Sequence, residues 1–138
     1  MDDYYTIKEE SVIQLADIIR NKFGFDKVNL TYFTDRSKFN ISELPSGITT
    51  IGDHAFRGCT NLALTELPNS ITKIGESAFW NCNKLALTEL PSSITSIGSN
   101  AFRNCTFKSI TFKGTPSSIS SSAFSGCTSL KTINVPWA

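Results

Sequence analysis

Apolar positions in this chain recur at a long fixed interval rather than at the 3.6-residue spacing of a helix. Aligned on its phenylalanines, the sequence reads Ile51-Gly52-x-x-Ala55-Phe56-x-x-Cys59, then Ile74-Gly75-x-x-Ala78-Phe79-x-x-Cys82, then Ile97-Gly98-x-x-Ala101-Phe102-x-x-Cys105. A fourth copy is Ile119-Ser120-x-x-Ala123-Phe124-x-x-Cys127. After each cysteine comes a stretch of strand-like composition, ending at Pro68, Pro91 and Pro136 in three copies. In the third copy this stretch, residues 107–112, is one residue shorter and runs through Lys113 and Gly114 to Pro116. A partial copy, residues 39–45, precedes the first full unit, which makes about five strands.

A fixed period of about 23 residues with apolar side chains at constant offsets is the mark of a solenoid, in which one coil cannot bury its own apolar face and stacking supplies the core. Proline lacks an N–H donor, so it ends ladder pairing after each short strand and turns the chain. Ile48 and Ile51, Ile71 and Ile74, and Ile94 and Ile97, with the Ala-Phe pairs, are expected to point inward from the return side of each coil. Gly52, Gly75 and Gly98 imply a backbone position with positive φ or a close approach, although Ser120 fills the same slot in the fourth copy.

The N-terminal segment has a different period. Thr6-x-x-Glu9 reads as a capping box and Gly24 as a helix stop. Val12, Leu15, Ala16, Ile19 and Phe23 form one apolar stripe between them, and residues 28–33 alternate as a strand does. The expected organisation is a helix and strand cap over residues 1–36 and a single solenoid over 37–138. No such cap follows the last strand. Three readings stay open there: Trp137 folds over the end, the array continues, or a partner covers it.

The units resemble the BspA-like class of leucine-rich repeats, whose pattern of Leu-Pro, Ile, Ala-Phe and Cys positions they follow over residues 39–136. The resemblance implies an α/β-type solenoid with about five short parallel strands on one face. It also implies a role in adhesion or protein binding, often on bacterial surfaces. The ending Thr132-Ile133-Asn134-Val135-Pro136-Trp137 resembles array ends in proteins of gut bacteria and their phages.

Composition narrows the function further. A net charge of +1 with both signs scattered gives no field for nucleic acid or an anionic membrane. No apolar run reaches the roughly 20 residues of a spanning helix, and the acidic N-terminus has no apolar leader region after it. A surface, secreted or virion-associated location is expected from the resemblance, with a cytoplasmic one compatible with the missing leader. Cys59, Cys82, Cys105 and Cys127 fall 23, 23 and 22 residues apart, each at the same point of its unit. That spacing fits a ladder of small buried thiols, because side chains in register lie side by side rather than aimed at one another for a disulfide. With one histidine, His54, in a turn beside Asp53, and no C-x-x-C, no metal site, cofactor or catalytic group is expected.

Candidate binding residues lie on the strand face, where alternate side chains form columns about 5 Å apart. Taking Leu130, Ile133 and Val135 as inward, one outward column is Glu43, Glu66, Glu89, Thr111 and Asn134. The other is Ile41, Leu64, Leu87, Ser109 and Thr132. Stacked glutamates repel one another, which points to a partner bearing Lys or Arg. Residues 62–68 recur verbatim at 85–91, however, so duplication alone also accounts for the column. Leu64 and Leu87 stand out of the usual register: either a bulge turns them into the core, or they form an exposed apolar stripe for a partner. A second candidate patch is Arg57, Trp80 and Arg103, which share one slot after Ala-Phe. The resulting expectation is a non-enzymatic protein-interaction or adhesion module. Its alternatives are a structural segment of a surface or virion assembly, which would form homo-oligomers through the open end, and a phage-encoded inhibitor of a host protein.

Overall fold

The computed structural model describes residues 46–137 throughout, together with Tyr4–Thr6, Lys27–Asn29, Ser37, Asn40, Glu43 and Leu44. The expected N-terminal helix falls outside the described residues. Among the described residues nine short strands run β1 (Tyr4–Thr6), β2 (Lys27–Asn29), β3 (Thr50–Ile51), β4 (Lys73–Ile74), β5 (Glu89–Leu90), β6 (Ser96–Ile97), β7 (Ser109–Phe112), β8 (Ser118–Ile119) and β9 (Thr132–Asn134). All pairings are parallel and join neighbouring coils.

The strands form two sheets rather than the single face expected. One has six strands in the order β1-β2-β3-β4-β6-β8, and the other three in the order β5-β7-β9. In the six-stranded sheet β3, β4 and β6 lie on the Ile-x-x-Ile-Gly segments of the return side, and β8 on the matching Ile119-Ser120 segment. Its ladder steps coil to coil through Gly75 N to Ile51 O at 2.8 Å, Gly98 N to Ile74 O at 2.9 Å and Ser120 N to Ile97 O at 3.0 Å. The segment before each Ala-Phe is therefore strand, with two residues per coil, too short for any alternation to reveal it.

Between the two sheets the chain turns through Ala-Phe-x-x-Cys, and left-handed residues, two in each of the first three full coils and one in the fourth, prevent a helix there. His54, Ser77 and Asn100 precede the alanines with φ of 60°, 54° and 56°. Gly58, Asn81, Asn104 and Gly126 precede the cysteines with φ of 77°, 63°, 62° and 73°. Gly, Asn and His are the residues that tolerate this region best. The turn amides bond forward to the next coil, as in Phe56 N to Ala78 O at 2.8 Å and Phe79 N to Ala101 O at 2.7 Å. Gly75 and Gly98 answer to close approach, not to positive φ: a Cβ on Gly98 would lie 2.7 Å from Glu76 N and 2.8 Å from Gly75 C.

The core is a set of columns along the solenoid axis. Phe56, Phe79, Phe102 and Phe124 stack with ring centroids 5.4, 5.4 and 5.3 Å apart and planes within 13° of parallel. Each such pair contributes about 0.5–1.5 kcal/mol beyond its area burial. Beside them run the four free, buried cysteines. Each thiol from the second coil on donates to the phenylalanine carbonyl of the coil before: Cys82 to Phe56 at 3.1 Å, Cys105 to Phe79 at 3.2 Å and Cys127 to Phe102 at 3.0 Å. No buried side-chain polar atom among the described residues lacks a partner.

Candidate functional site

The strand face takes its shape from a change of step in the inward residues. In the first two full coils the buried positions are Leu62, Leu64 and Leu67, then Leu85, Leu87 and Leu90, with intervals of two and then three. In the third coil they are Phe107, Ile110 and Phe112, with intervals of three and then two. A three-residue interval breaks the period of two that a strand requires. It comes at the end of the stretch in the early coils, and only Glu89–Leu90 is regular there. In the third coil it comes first, which leaves Ser109–Phe112 as a four-residue strand.

The step settles where Leu64 and Leu87 lie. They are 0% and 1% exposed and belong to the core, so the exposed apolar stripe is corrected: these two leucines are not part of a binding face. The irregular step turns Thr65 and Glu66, and Thr88 and Glu89, outward as consecutive pairs. Ile41 lies outside the described residues.

The polar column is exposed except at Thr111. Glu43, Glu66, Glu89 and Asn134 are exposed, Thr111 is half-buried, and Thr132 of the neighbouring column is exposed. Register places Glu89 beside Thr111, and Thr111 beside Asn134. The Asn134 Nδ2 donates to Thr111 Oγ1 at 3.1 Å. At its foot the face opens into a cleft of about 480 Å³, lined by Glu66, Asn69, Glu89, Ser92 and Lys113 among others. The Lys113 ammonium lies 3.5 Å from Glu89 Oε2. Since Leu90 pairs with Phe112, Lys113 follows in the rung of Pro91. One coil earlier, the position equivalent to Lys113 is Pro91 itself, which carries no charge. No ion pair to Glu66 occurs among the described residues.

The second patch is also brought together, but as a stack. Arg57, one coil before, and Arg103, one coil after, both lie over the Trp80 ring, with guanidinium carbons 4.2 and 4.6 Å from its centroid. Both contacts are within cation–π range, so the half-buried indole ties three successive coils. Next to it Asn104 Nδ2 donates to Asn81 Oδ1 at 2.9 Å. This stacking was legible in the 23-residue phase, whereas the cleft was not, since it depends on the proline turns and the irregular step.

His54 sits in its turn 3.5 Å from Glu76 Oε2, both side chains about half exposed. No group of three or more His, Cys, Asp or Glu that could hold a metal occurs among the described residues. Nor is any helix among them long and apolar enough to cross a membrane.

Comparison with known proteins agrees with this geometry. A family model for the BspA type leucine-rich repeat region matches residues 26–137 in six copies. The crystal structure of a leucine-rich repeat protein from Bacteroides ovatus is similar, with a TM-score of 0.67 and 33% sequence identity over 80% of this chain. The match spans 29% of that protein's chain. No curated protein shows significant similarity.

Proposed function

Because this chain belongs to the BspA-type leucine-rich repeat family, we propose that it is a non-enzymatic protein-interaction module that takes a basic segment of its partner on the strand face. The column Glu43, Glu66 and Glu89, continued by Thr111 and Asn134 and flanked by Thr132, is the contact surface. The observation that carries this reading is the cleft between Glu66 and Glu89. Its Lys113–Glu89 pair is an internal example of what fits there, an ammonium set against a column carboxylate. No cation among the described residues stands at the equivalent place beside Glu66, so a partner's Lys or Arg would complete the pattern. Such a rim contact acts more on encounter rate and specificity than on total affinity, and salt would weaken it.

Selection of random displayed peptides on the immobilised protein tests this. Selected peptides are expected to be enriched in Lys and Arg, and to lose at least roughly tenfold in affinity to the Glu66→Lys, Glu89→Lys double variant. Peptides without basic bias, or with unchanged affinity for that variant, would overturn it.

A further inference from the structure

We infer that the turn carrying Arg57, Trp80 and Arg103 is a second binding surface, separate from the strand face, and that its ligand is an anionic saccharide. The carboxylate or sulfate of the sugar lies on the guanidiniums, and its hydroxyls meet the amides of Asn81 and Asn104. This slot is where neighbouring coils part company: residues 62–68 recur unchanged at 85–91, yet the place of Arg57 is taken one coil on by Trp80. No carboxylate stands within ion-pair distance of Arg103 among the described residues. The indole holds it instead, with the guanidinium carbon 4.6 Å from the ring centroid. A carboxylate in that place would neutralise the cation. The ring orients it and leaves its charge and N–H donors for an oxyanion, which a guanidinium takes in bidentate fashion.

Beside the guanidiniums stand groups suited to hydroxyls. Asn81 and Asn104 are exposed neighbours in the next column of the turn. Asn104 Nδ2 donates to Asn81 Oδ1 at 2.9 Å, which leaves Asn81 Nδ2 to donate and Asn104 Oδ1 to accept. A sugar hydroxyl both donates and accepts, so it can use either group. The two backbones are set alike, with φ of 63° and 62°, and the mutual bond fixes their side chains before any ligand arrives.

Charge around the patch is of one sign, although the chain as a whole carries only +1. Between the Ala-Phe turn and the strand face, residues 55–65, 78–88 and 101–111 hold Arg57, Lys84, Arg103 and Lys108 and no Asp or Glu. The band is narrow: Asp53 and Glu76 come just before it along the coils, and Glu66 and Glu89 just after. A nucleic acid or a run of acidic residues carries a charge on every unit, so the anions flanking those in the band would fall over these carboxylates and be repelled. A saccharide separates its anions by neutral hydroxyls. It can set a charge on the guanidiniums and hydroxyls on the asparagines without that repulsion.

Calorimetric titration of the intact chain with a galacturonic acid tetramer, a sulfated galactose tetramer and a neutral galactose tetramer tests the proposal. At least one anionic tetramer is expected to bind at least roughly tenfold more tightly than the neutral one, and the tighter of the two assigns carboxylate or sulfate. Hexaglutamate and an oligothymidylate should bind more weakly than that sugar. Arg103→Ser places in this slot the residue that Ser125 supplies one coil on, and should weaken sugar binding at least roughly tenfold. Asn81→Gly repeats what Gly58 and Gly126 show at the same place, and should weaken it roughly fivefold. Because both replacements already occur in neighbouring coils, the circular dichroism spectrum should not change. Glu66→Lys with Glu89→Lys should leave sugar binding intact, so failure here is separable from failure of the strand-face reading. No binding of either anionic tetramer, binding that either single substitution leaves unchanged, or equal binding of hexaglutamate or oligothymidylate would each overturn it.

Discussion

A buried cysteine in register with its neighbours combines two properties that no single alternative has: it is small and apolar enough for the core, and its thiol still donates to the carbonyl of the coil before. The fold holds the protonated form. Burial pushes the Cys105 thiol well above its ordinary value, with the neighbouring Cys127 adding to the effect, and the hydrogen bond from the Cys82 backbone only partly offsetting them. Burial also raises Cys127, against the lowering effect of the backbones of Cys105 and Asn104. In the unfolded chain these thiols ionise near the free value of about 8.5. Below that pH both states keep the proton and the stability is fully present. As pH rises past it, the unfolded chain releases protons that the native one retains, and stability falls until the raised native values are passed. Urea midpoints are therefore expected to stay level up to about pH 8 and to decline above about pH 8.5, with Cys105→Ala and Cys127→Ala together shallower in that range than the parent. Equal alkaline slopes in parent and variant would show that other groups govern it.

At the scale of the coil, two kinds of glycine are separated by one comparison. Gly98 lies so close to the backbone of the preceding coil that a Cβ would meet Glu76 N and Gly75 C, neither of which can swing aside. Gly58 has a positive φ but open space around its Cβ, and Asn81 and Asn104 occupy the matching positions with similar φ. Gly98→Ala is expected to lower stability by about 2 kcal/mol or more. It reverses the gain of roughly 0.4–1 kcal/mol that a compatible Gly→Ala change brings. Gly58→Asn should stay within about 0.5 kcal/mol of the parent. Thermal or urea unfolding of both variants checks the pair. These positions also mark how far the sequence can be read. The phases of Phe56, Phe79, Phe102 and of the cysteines were legible because one offset recurs at every copy. So was the meeting of Arg57, Trp80 and Arg103. The return-side sheet was not, since strands of two residues have no period of their own, and left-handed turns leave a mixture of Gly, Asn, His and Ser as faint traces. Leu64 and Leu87 were undecidable from alternation alone: what buries them is where a three-residue step falls, which packing against the neighbouring coil determines.

Across the whole molecule one pitch governs the six-stranded sheet, whose strands begin at residues 4, 27, 50, 73, 96 and 118. The strand pitch thus reaches back through the N-terminal segment, and Tyr4–Thr6 and Lys27–Asn29 carry the same parallel register as the coils after them. In such an array each coil is held only by its neighbours, so stability is a sum of coil terms and interface terms. A coil with two neighbours opens only by breaking two interfaces, whereas the last described coil breaks one. The hydrogen bonds themselves do not distinguish them: Gly98 N to Ile74 O and Ser120 N to Ile97 O differ by 0.1 Å, at 2.9 and 3.0 Å. Any difference in amide exchange between these two positions therefore reports coil opening rather than bond geometry. The Gly98 amide is expected to exchange at least roughly tenfold more slowly than that of Ser120 after correction for intrinsic rates. Equal protection at both amides would mean that the coils unfold as a single cooperative unit.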